Sequence, residues 1–335
     1  MKSFDWNPGS LLEMSGYYWK TCTLHTGVKL DIFTAIGQDT LSLNDINRKL
    51  RVDKQGLATL LNALSALELL VKKDGKYSNS PPSLTFLSKG SDKYIGFMIM
   101  HHHNLMESWH KMDKAIIDGR PAGNRASFAE GEEQREHFLM GMFNIGMTTA
   151  PGLSKELDLS GCKRLLDLGG GPGTFAIHFC LANPQLKASV YDLDTTRPFA
   201  EKTINKFNVS DRIDFISGNY IEDEFVQPNA FDAAWLSHIL HAEGPGQAKK
   251  IIGKAVSALK PGGRIFIHDF ILNDNMDSPL FPAIFSINMY LGTPEGRAYS
   301  EAQLSDMLKD NGVKNIERLN FKGPMQSGIL SGITP

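Results

Sequence analysis

The chain is poor in cysteine. Cys22, Cys162 and Cys180 are the only three in 335 residues. They are scattered and odd in number, so no disulfide framework or metal-ligand spacing is legible, which fits a reducing compartment. An excess of either charge is also missing. The 35 Lys and Arg against 37 Asp and Glu leave a net −2, with no basic field to attract nucleic acid. No stretch reaches the ~18 apolar residues of a membrane span. Met1–Ser10 carries no apolar leader run, and no internal repeat or low-complexity tract is present. The expectation is a cytoplasmic protein, away from membranes, with enough chain for two domains and a large core.

What is present centres on residues 164–175. The apolar run Arg164-Leu165-Leu166-Asp167-Leu168 meets the cluster Gly169-Gly170-Gly171-Pro172-Gly173, and a helical pattern follows from Thr174. That order predicts a buried strand, a tight turn and a helix start. Glycine suits a turn whose backbone reaches positive φ and must let a ligand close, and the helix N-terminus offers free N–H groups. A dinucleotide site wants Gly-x-Gly-x-x-Gly. Counted from Gly169 the third position is Thr174, and the spacing is Gly169-x-Gly171-x-Gly173. A second strand-like run, 187–191, ends in Asp192, 21 residues after Gly171. A carboxylate there can accept from both hydroxyls of a ribose.

Further runs follow at 212–220, at 231–241 and at 259–269, the last containing Lys260-Pro261-Gly262-Gly263-Arg264 and ending in Asp269. In this order and spacing, with acidic Asp167 before the glycines, the chain resembles the class I S-adenosylmethionine-dependent small-molecule O-methyltransferases. That family includes the caffeate, hydroxyindole and bacterial polyketide enzymes. The resemblance covers nearly the whole chain. It implies an α/β fold with a doubly wound, mostly parallel seven-stranded sheet whose last strand is antiparallel. A helical, winged-helix-like dimerisation domain would precede it. It also implies S-adenosyl-L-methionine as cofactor, S-adenosyl-L-homocysteine as product, and no metal. Asp167, Gly169, Gly170, Gly171, Asp192, Leu193, Gly218, Asn219, Tyr220 and Ser237 would hold the cofactor, with Asn219 and Tyr220 at the adenine.

Methyl transfer from a sulfonium is an in-line displacement, so the protein must position the acceptor and remove its proton. A phenol of pKa ~10 is a poor nucleophile at neutral pH, and a histidine of pKa ~6.5 can take its proton. The resemblance aligns that base with His241 and its orienting carboxylate with Asp269. His238 is the rival base and an acceptor-facing candidate.

The chain reads as three parts: 1–95, a dimerising module; 96–160, a helical connector with acceptor-pocket helices; and 161–335, the cofactor-binding catalytic domain. In the first, residues 11–36 predict one long helix. Ser42 or Asn44 and then Asp53 are helix caps, and Asp74-Gly75 turns a β-hairpin. Helix, helix, hairpin is a winged-helix pattern, which taken alone suggests DNA contact. Lysines cluster only at the hairpin (Lys72, Lys73, Lys76), and the resemblance implies dimerisation instead. In the second, seven of the 13 methionines gather between Met98 and Met147, either as helix core or as an adaptable apolar pocket. Trp109, Phe138, Met142 and Asn144, with Asn288 further on, are the acceptor-facing candidates. The adjacent His101-His102-His103 do not converge on one ion, because neighbours on a helix diverge by about 100°; His103 and His110 share a face, but no carboxylate or cysteine spacing completes a site. Asp118-Gly119-Arg120-Pro121 should end a helix and open a loop to about Ser127.

Three departures stand against the plant-like pattern. Ala242-Glu243 replaces Asp-Trp after the base, Asp194 replaces a proline, and Ala298 stands where a second glutamate would be. Asn288-Met289-Tyr290-Leu291 looks more like bacterial members. The favoured expectation is a homodimeric enzyme methylating the hydroxyl of a small, mostly apolar, aromatic acceptor. Alternatives are carbon or nitrogen methylation or a non-transferring relative on the same fold, and, from another class, a ligand-sensing DNA-binding protein.

Overall fold

The computed structural model describes residues 6–128, 131–224 and 227–335, so the reading of Met1–Ser10 falls partly outside it. The described residues form two compact units that part between Leu105 and Met106.

The first unit holds α1 (Pro8–Ser15), α2 (Tyr17–Lys29), α3 (Ile32–Ile36), β1 (Leu41–Ser42), α4 (Leu43–Leu50), α5 (Lys54–Ala66), β2 (Leu70–Lys73), β3 (Lys76–Asn79), α6 (Pro81–Phe86) and most of α7 (Gly96–His110). The single helix expected over 11–36 is three helices. Gly16 caps the first, and Asp31 turns the chain at a left-handed φ of 55° before α3, a conformation aspartate tolerates better than most residues. Ser42 caps α4 in a reciprocal box with Asp45, and the Asp53 carboxylate accepts from the Gly56 N–H to start α5. The hairpin turns through Asp74 (φ 50°) and Gly75 (φ 72°), the pair of left-handed residues that matches strand twist. Ile32, Phe33, Ile46, Leu61 and Leu64 are fully buried in its core, and Met100 packs there too. That methionine is therefore core of the first unit. Part of α1 and α2 stays bare: Leu12 is 74% exposed and Trp19 68%, with Tyr17 and Tyr18 beside them.

The second unit adds α8 (Met112–Asp118), α9 (Glu132–Glu156), β4 (Arg164–Leu168), α10 (Thr174–Ala182), β5 (Lys187–Asp192), α11 (Arg197–Lys206), β6 (Ile213–Ser217), β7 (Phe231–Ser237), α12 (Pro245–Ala258), β8 (Leu259–Asp269), α13 (Leu280–Gly292), α14 (Glu301–Asp310), β9 (Lys314–Arg318) and β10 (Gly328–Ile333). Helix α8 stops at Gly119, whose φ is 64°. One sheet runs β6-β5-β4-β7-β8-β10-β9. Its first five strands are parallel, while β10 lies antiparallel between β8 and β9. Central strands read as continuous apolar runs because both faces are covered. Leu165, Ala233, Trp235 and Phe266 pack into one core layer. Their neighbours Leu166, Ala234, Leu236, Ile265 and Ile267 pack into the other. This period of two leaves the functional side chains at the carboxyl ends of the strands, where ligands of such sheets bind. No helix among the described residues is long and apolar enough to cross a membrane.

Candidate active site

The turn after β4 is built by backbone that only glycine adopts cheaply. Gly169, Gly171 and Gly173 have φ of 66°, 56° and 73°, the alternating set that the spacing singles out. Gly170 is needed for room, since a Cβ there would lie 2.6 Å from the Asp167 carboxyl carbon. A Cβ on Gly171 would meet nothing within 4 Å, so the turn faces open space on that side.

Asp167 lies buried beneath this turn. Its Oδ2 accepts from the Ala176 N–H at 3.3 Å, and its Oδ1 has no hydrogen-bond partner among the described residues. Burial raises its carboxyl to about 7 against the opposing Ala176 bond. A buried acceptor left unmade is costly, and the ammonium end of an amino-acid ligand is a group of the right charge to satisfy it. The cofactor implied by the sequence fits this cradle on that observation.

Asp192 ends β5 and ties it to the turn. Its Oδ2 accepts from Gly171 N–H at 2.8 Å; its Oδ1 accepts from Leu193 N–H at 2.7 Å and from the Thr196 hydroxyl at 3.2 Å. Of the roughly four acceptor directions of a carboxylate, this leaves one for a ribose hydroxyl unless Thr196 or the turn gives way. Burial raises its carboxyl, the two backbone N–H bonds pulling the other way. After β6, Gly218 passes so close under Tyr191 that a Cβ would overlap its hydroxyl. The Asn219 N–H donates to Asp223 at 2.6 Å and its Oδ1 accepts from Ile221 N–H at 3.0 Å. The Tyr220 ring lies along the turn, 3.2 Å from where a Gly169 Cβ would stand.

Ser237 ends β7, and its hydroxyl is engaged at 3.0 Å with His268 Nδ1. His268 Nε2 reaches the Ser327 hydroxyl at 3.0 Å. Its burial holds the ring neutral, well below its ordinary value. The Ser237 hydroxyl thus joins a buried network that sequence reasoning did not find.

His241 sits on the 3-10 turn Leu240–Ala242, and its Nδ1 is 2.6 Å from Asp269 Oδ1. Burial pushes the Asp269 carboxyl up, but the imidazoles of His241 and His238 outweigh it and hold it well below the usual carboxylate range. His241 Nδ1–H therefore donates to an ionised carboxylate, which leaves Nε2 to face a proton donor. His238 has a left-handed φ of 57°, unusual for a residue with a side chain. Its Nδ1 is 3.6 Å from the same carboxylate oxygen, too far for a hydrogen bond, and is buried without a hydrogen-bond partner among the described residues. These three residues are also the group of potential metal ligands among the described residues. The 2.6 Å spacing within it is that of a hydrogen bond. Ala298 is fully buried and adds no carboxylate.

Helix α13 closes the other side. Phe281, Phe285 and Asn288 share its inner face at helical spacing. Phe285 lies 4.7 Å edge-on to His241 and 4.5 Å from Phe270; Phe281 lies 5.0 Å from Phe270. Phe270 is 4.5 Å from the His238 ring. The Trp109 indole N–H donates to Asn288 Oδ1 at 2.9 Å, which joins two acceptor-facing candidates far apart in sequence. Met142 and Asn144 lie half-buried on α9. That helix packs against the glycine turn's helix, since a Cβ on Gly146 would stand 2.9 Å from Thr174. The three phenylalanines were missed, although Phe281, Phe285 and Asn288 carry a readable i, i+4, i+7 signal.

A seven-stranded sheet of this order, with a glycine cradle over a buried strand-end carboxylate, points to the S-adenosylmethionine-dependent methyltransferases. Comparison with known proteins narrows the class. The O-methyltransferase domain profile matches residues 110–314, and the O-methyltransferase dimerisation domain profile matches 12–89. The 3-hydroxy-5-methyl-1-naphthoate 3-O-methyltransferase of Streptomyces sahachiroi is 30% identical over 332 residues, covering 97% of this chain and 95% of that one. The N,N-dimethyltransferase OxyT of Streptomyces rimosus is 26% identical over 323 residues, covering 93% and 92%. An O-methyltransferase family protein from Burkholderia thailandensis superposes with a TM-score of 0.88 at 25% identity, covering 98% of both chains. The chain belongs to this O-methyltransferase family and is an S-adenosylmethionine-dependent O-methyltransferase.

Proposed function

We propose that this enzyme methylates a hydroxyl on a small, flat, mostly apolar aromatic acceptor, with His241 as the general base. The observation that carries the reading is the 2.6 Å His241–Asp269 contact, with Phe270 and Phe285 against the His241 ring and Phe281 packed on those two. The aromatic side chains offer ring faces and edges to an aromatic acceptor, and Asn288, already holding Trp109, adds a polar fix. Bound, S-adenosylmethionine supplies an electrophilic methyl group on a good leaving group. Asp167, Gly169, Gly170 and Gly171 hold its amino-acid end. Asp192 and Leu193 hold the ribose, and Gly218, Asn219 and Tyr220 hold the adenine. Ser237 contributes its backbone or the remaining capacity of a hydroxyl already engaged with His268. As the acceptor oxygen attacks, its proton passes to His241 Nε2, and Asp269 stabilises the imidazolium from Nδ1. His238, Met142 and Asn144 complete the acceptor wall.

The same reading takes the protein as a cytoplasmic homodimer with three parts, 1–95, 96–160 and 161–335. Support comes from the dimerisation profile and from the bare face of Leu12, Tyr18 and Trp19, which a second copy would cover. DNA contact has little support in the hairpin, where Lys72 is turned onto Asn62 Oδ1 at 2.7 Å.

The test is transfer of labelled methyl to a panel of phenols, aryl amines and activated aryl carbons, with His241→Ala alongside. Label on phenolic oxygen that falls sharply in the variant supports the reading. Label on nitrogen or carbon, or O-methylation that survives in the variant, refutes the acceptor class or the base respectively. Sedimentation of Trp19→Glu tests the dimer, since an unchanged mass would remove α2 from the interface.

A further inference from the structure

The Ala242-Glu243 departure has a structural counterpart in the segment after α8. Ala122 and Gly123 N–H groups both donate to Leu291 O at the end of α13, each at 3.0 Å. The segment then delivers Arg125 to the cofactor side. All three guanidinium nitrogens are engaged. Nη1 is paired with the Glu243 carboxylate, Nη2 donates to the Tyr220 hydroxyl at 2.8 Å, and Nε donates to Ser127 Oγ at 2.8 Å. The group stacks over Phe128. Both partners of the ion pair are largely buried, with 15% and 10% of their side chains exposed. Glu243 lies two residues past His241, and its backbone oxygen accepts from the Tyr299 hydroxyl at 2.5 Å. Tyr220 is the residue whose ring lies along the glycine turn.

We infer that Arg125 is a positioning residue that fixes Tyr220 against the cofactor, and that the Arg125–Glu243 pair sets the balance of affinity between the cationic donor and the uncharged thioether product. The inference rests on the cofactor placement proposed above. Its physical basis is charge. The donor's sulfonium carries one more positive charge than S-adenosylhomocysteine, and a guanidinium beside the cleft would repel it in a poorly screened site. Glu243 cancels that repulsion at close range through Nη1, while Nη2 of Arg125 orients the tyrosine. The segment 119–128 thereby ties the end of α13 to the cofactor wall.

The experiment measures the affinities of S-adenosylmethionine and S-adenosylhomocysteine for the full-length wild type, Glu243→Gln, Arg125→Met, Arg125→Lys and Tyr220→Phe. Glu243→Gln leaves the cation uncompensated and should weaken donor binding about tenfold more than product binding. Arg125→Met leaves the anion and should shift the ratio the other way, with faster dissociation of both ligands. Arg125→Lys keeps the charge and should restore the ratio without the slow release. The losses from Tyr220→Phe and Arg125→Met should be non-additive in the double variant. A merely structural pair would change both ligands in parallel. Parallel changes, or changes of the same sign in the Glu243 and Arg125 variants, overturn the inference. Asp192→Ala separates it from the placement beneath it: if that variant binds both ligands as wild type does, the placement itself fails. Weakened binding in Asp192→Ala together with an unmoved ratio in the other two overturns the role of Arg125 alone.

Discussion

The two sides of the active cleft are made differently. The side proposed for the cofactor is backbone braced by two carboxylates: three left-handed glycines, Asp167 near the end of β4, and Asp192 at the end of β5, which holds the turn by its Gly171 N–H. The side proposed for the acceptor is side chains from distant segments, Trp109 on α7, Phe270 after β8, and Phe281, Phe285 and Asn288 on α13. His241 stands where they meet. Backbone geometry constrains residue type tightly, because few residues take φ near 60°. A wall of rings constrains only size and polarity. The contrast teaches that one side can keep a single ligand across a family while the other is free to change acceptor.

The largest expected effect falls on the shared boundary. His241→Ala should lower kcat by roughly a hundredfold to ten-thousandfold, the usual worth of a positioned base, with S-adenosylhomocysteine affinity unchanged. His238→Ala should act mainly on acceptor KM, because its Nδ1 lies 3.6 Å from Asp269 and His241 holds that carboxylate at 2.6 Å. Single-turnover rates for both variants decide it. If His238→Ala loses more in the chemical step than His241→Ala, the two roles are exchanged.

On the cofactor side, Asp192→Ala should weaken S-adenosylhomocysteine binding by about thirtyfold to a hundredfold, the loss of a charge-assisted contact plus the brace on Gly171. Calorimetric titration measures it. Acceptor KM, read at saturating donor, should stay where it is. The converse variant, Asn288→Ala, should raise acceptor KM several-fold by releasing the Trp109 indole and leave the cofactor titration unmoved. If each variant disturbs both ligands equally, the cleft does not have two separable sides.

This division also explains what was legible in the sequence. The glycine turn and the alternation of strands and helices were readable because they rest on φ and on burial pattern, and Asp192 was readable from its spacing after Gly171, whereas the antiparallel last strand came through resemblance to a family. Asp269 and His241 were readable only through resemblance to a family, yet they meet at 2.6 Å. The long first helix was misread because helical periodicity survives across Gly16 and Asp31, while the breaks are decided by caps and packing. Arg125 gave no signal. An arginine in a polar loop looks like solvated surface until Tyr220, 95 residues away, is seen to accept from it. Ser237 was assigned by position, and only the structure shows its hydroxyl turned to His268.

The smallest expected effect is a single proton, and it sharpens the contrast most. An aspartate in the unfolded chain titrates near ~3.9, whereas burial raises folded Asp167 to about 7, opposed by the Ala176 N–H. The folded state thus holds a proton that the unfolded state has lost between those values. The group therefore costs stability progressively as pH rises from about 4 to about 7, and its full cost persists above that window. An ammonium beside Oδ1 favours the ionised carboxylate and drives that proton off. Binding of S-adenosylhomocysteine should release up to about one proton at about pH 6, and the release should vanish near pH 9 or in Asp167→Asn. Titrations in two buffers of different ionisation enthalpy count it. Equal heats in both buffers at the lower pH would mean that Asp167 is already ionised before the ligand arrives, or that the amino-acid end binds elsewhere. In the second case the turn would be a cradle of glycine backbone whose ligand does not meet the carboxyl beneath it.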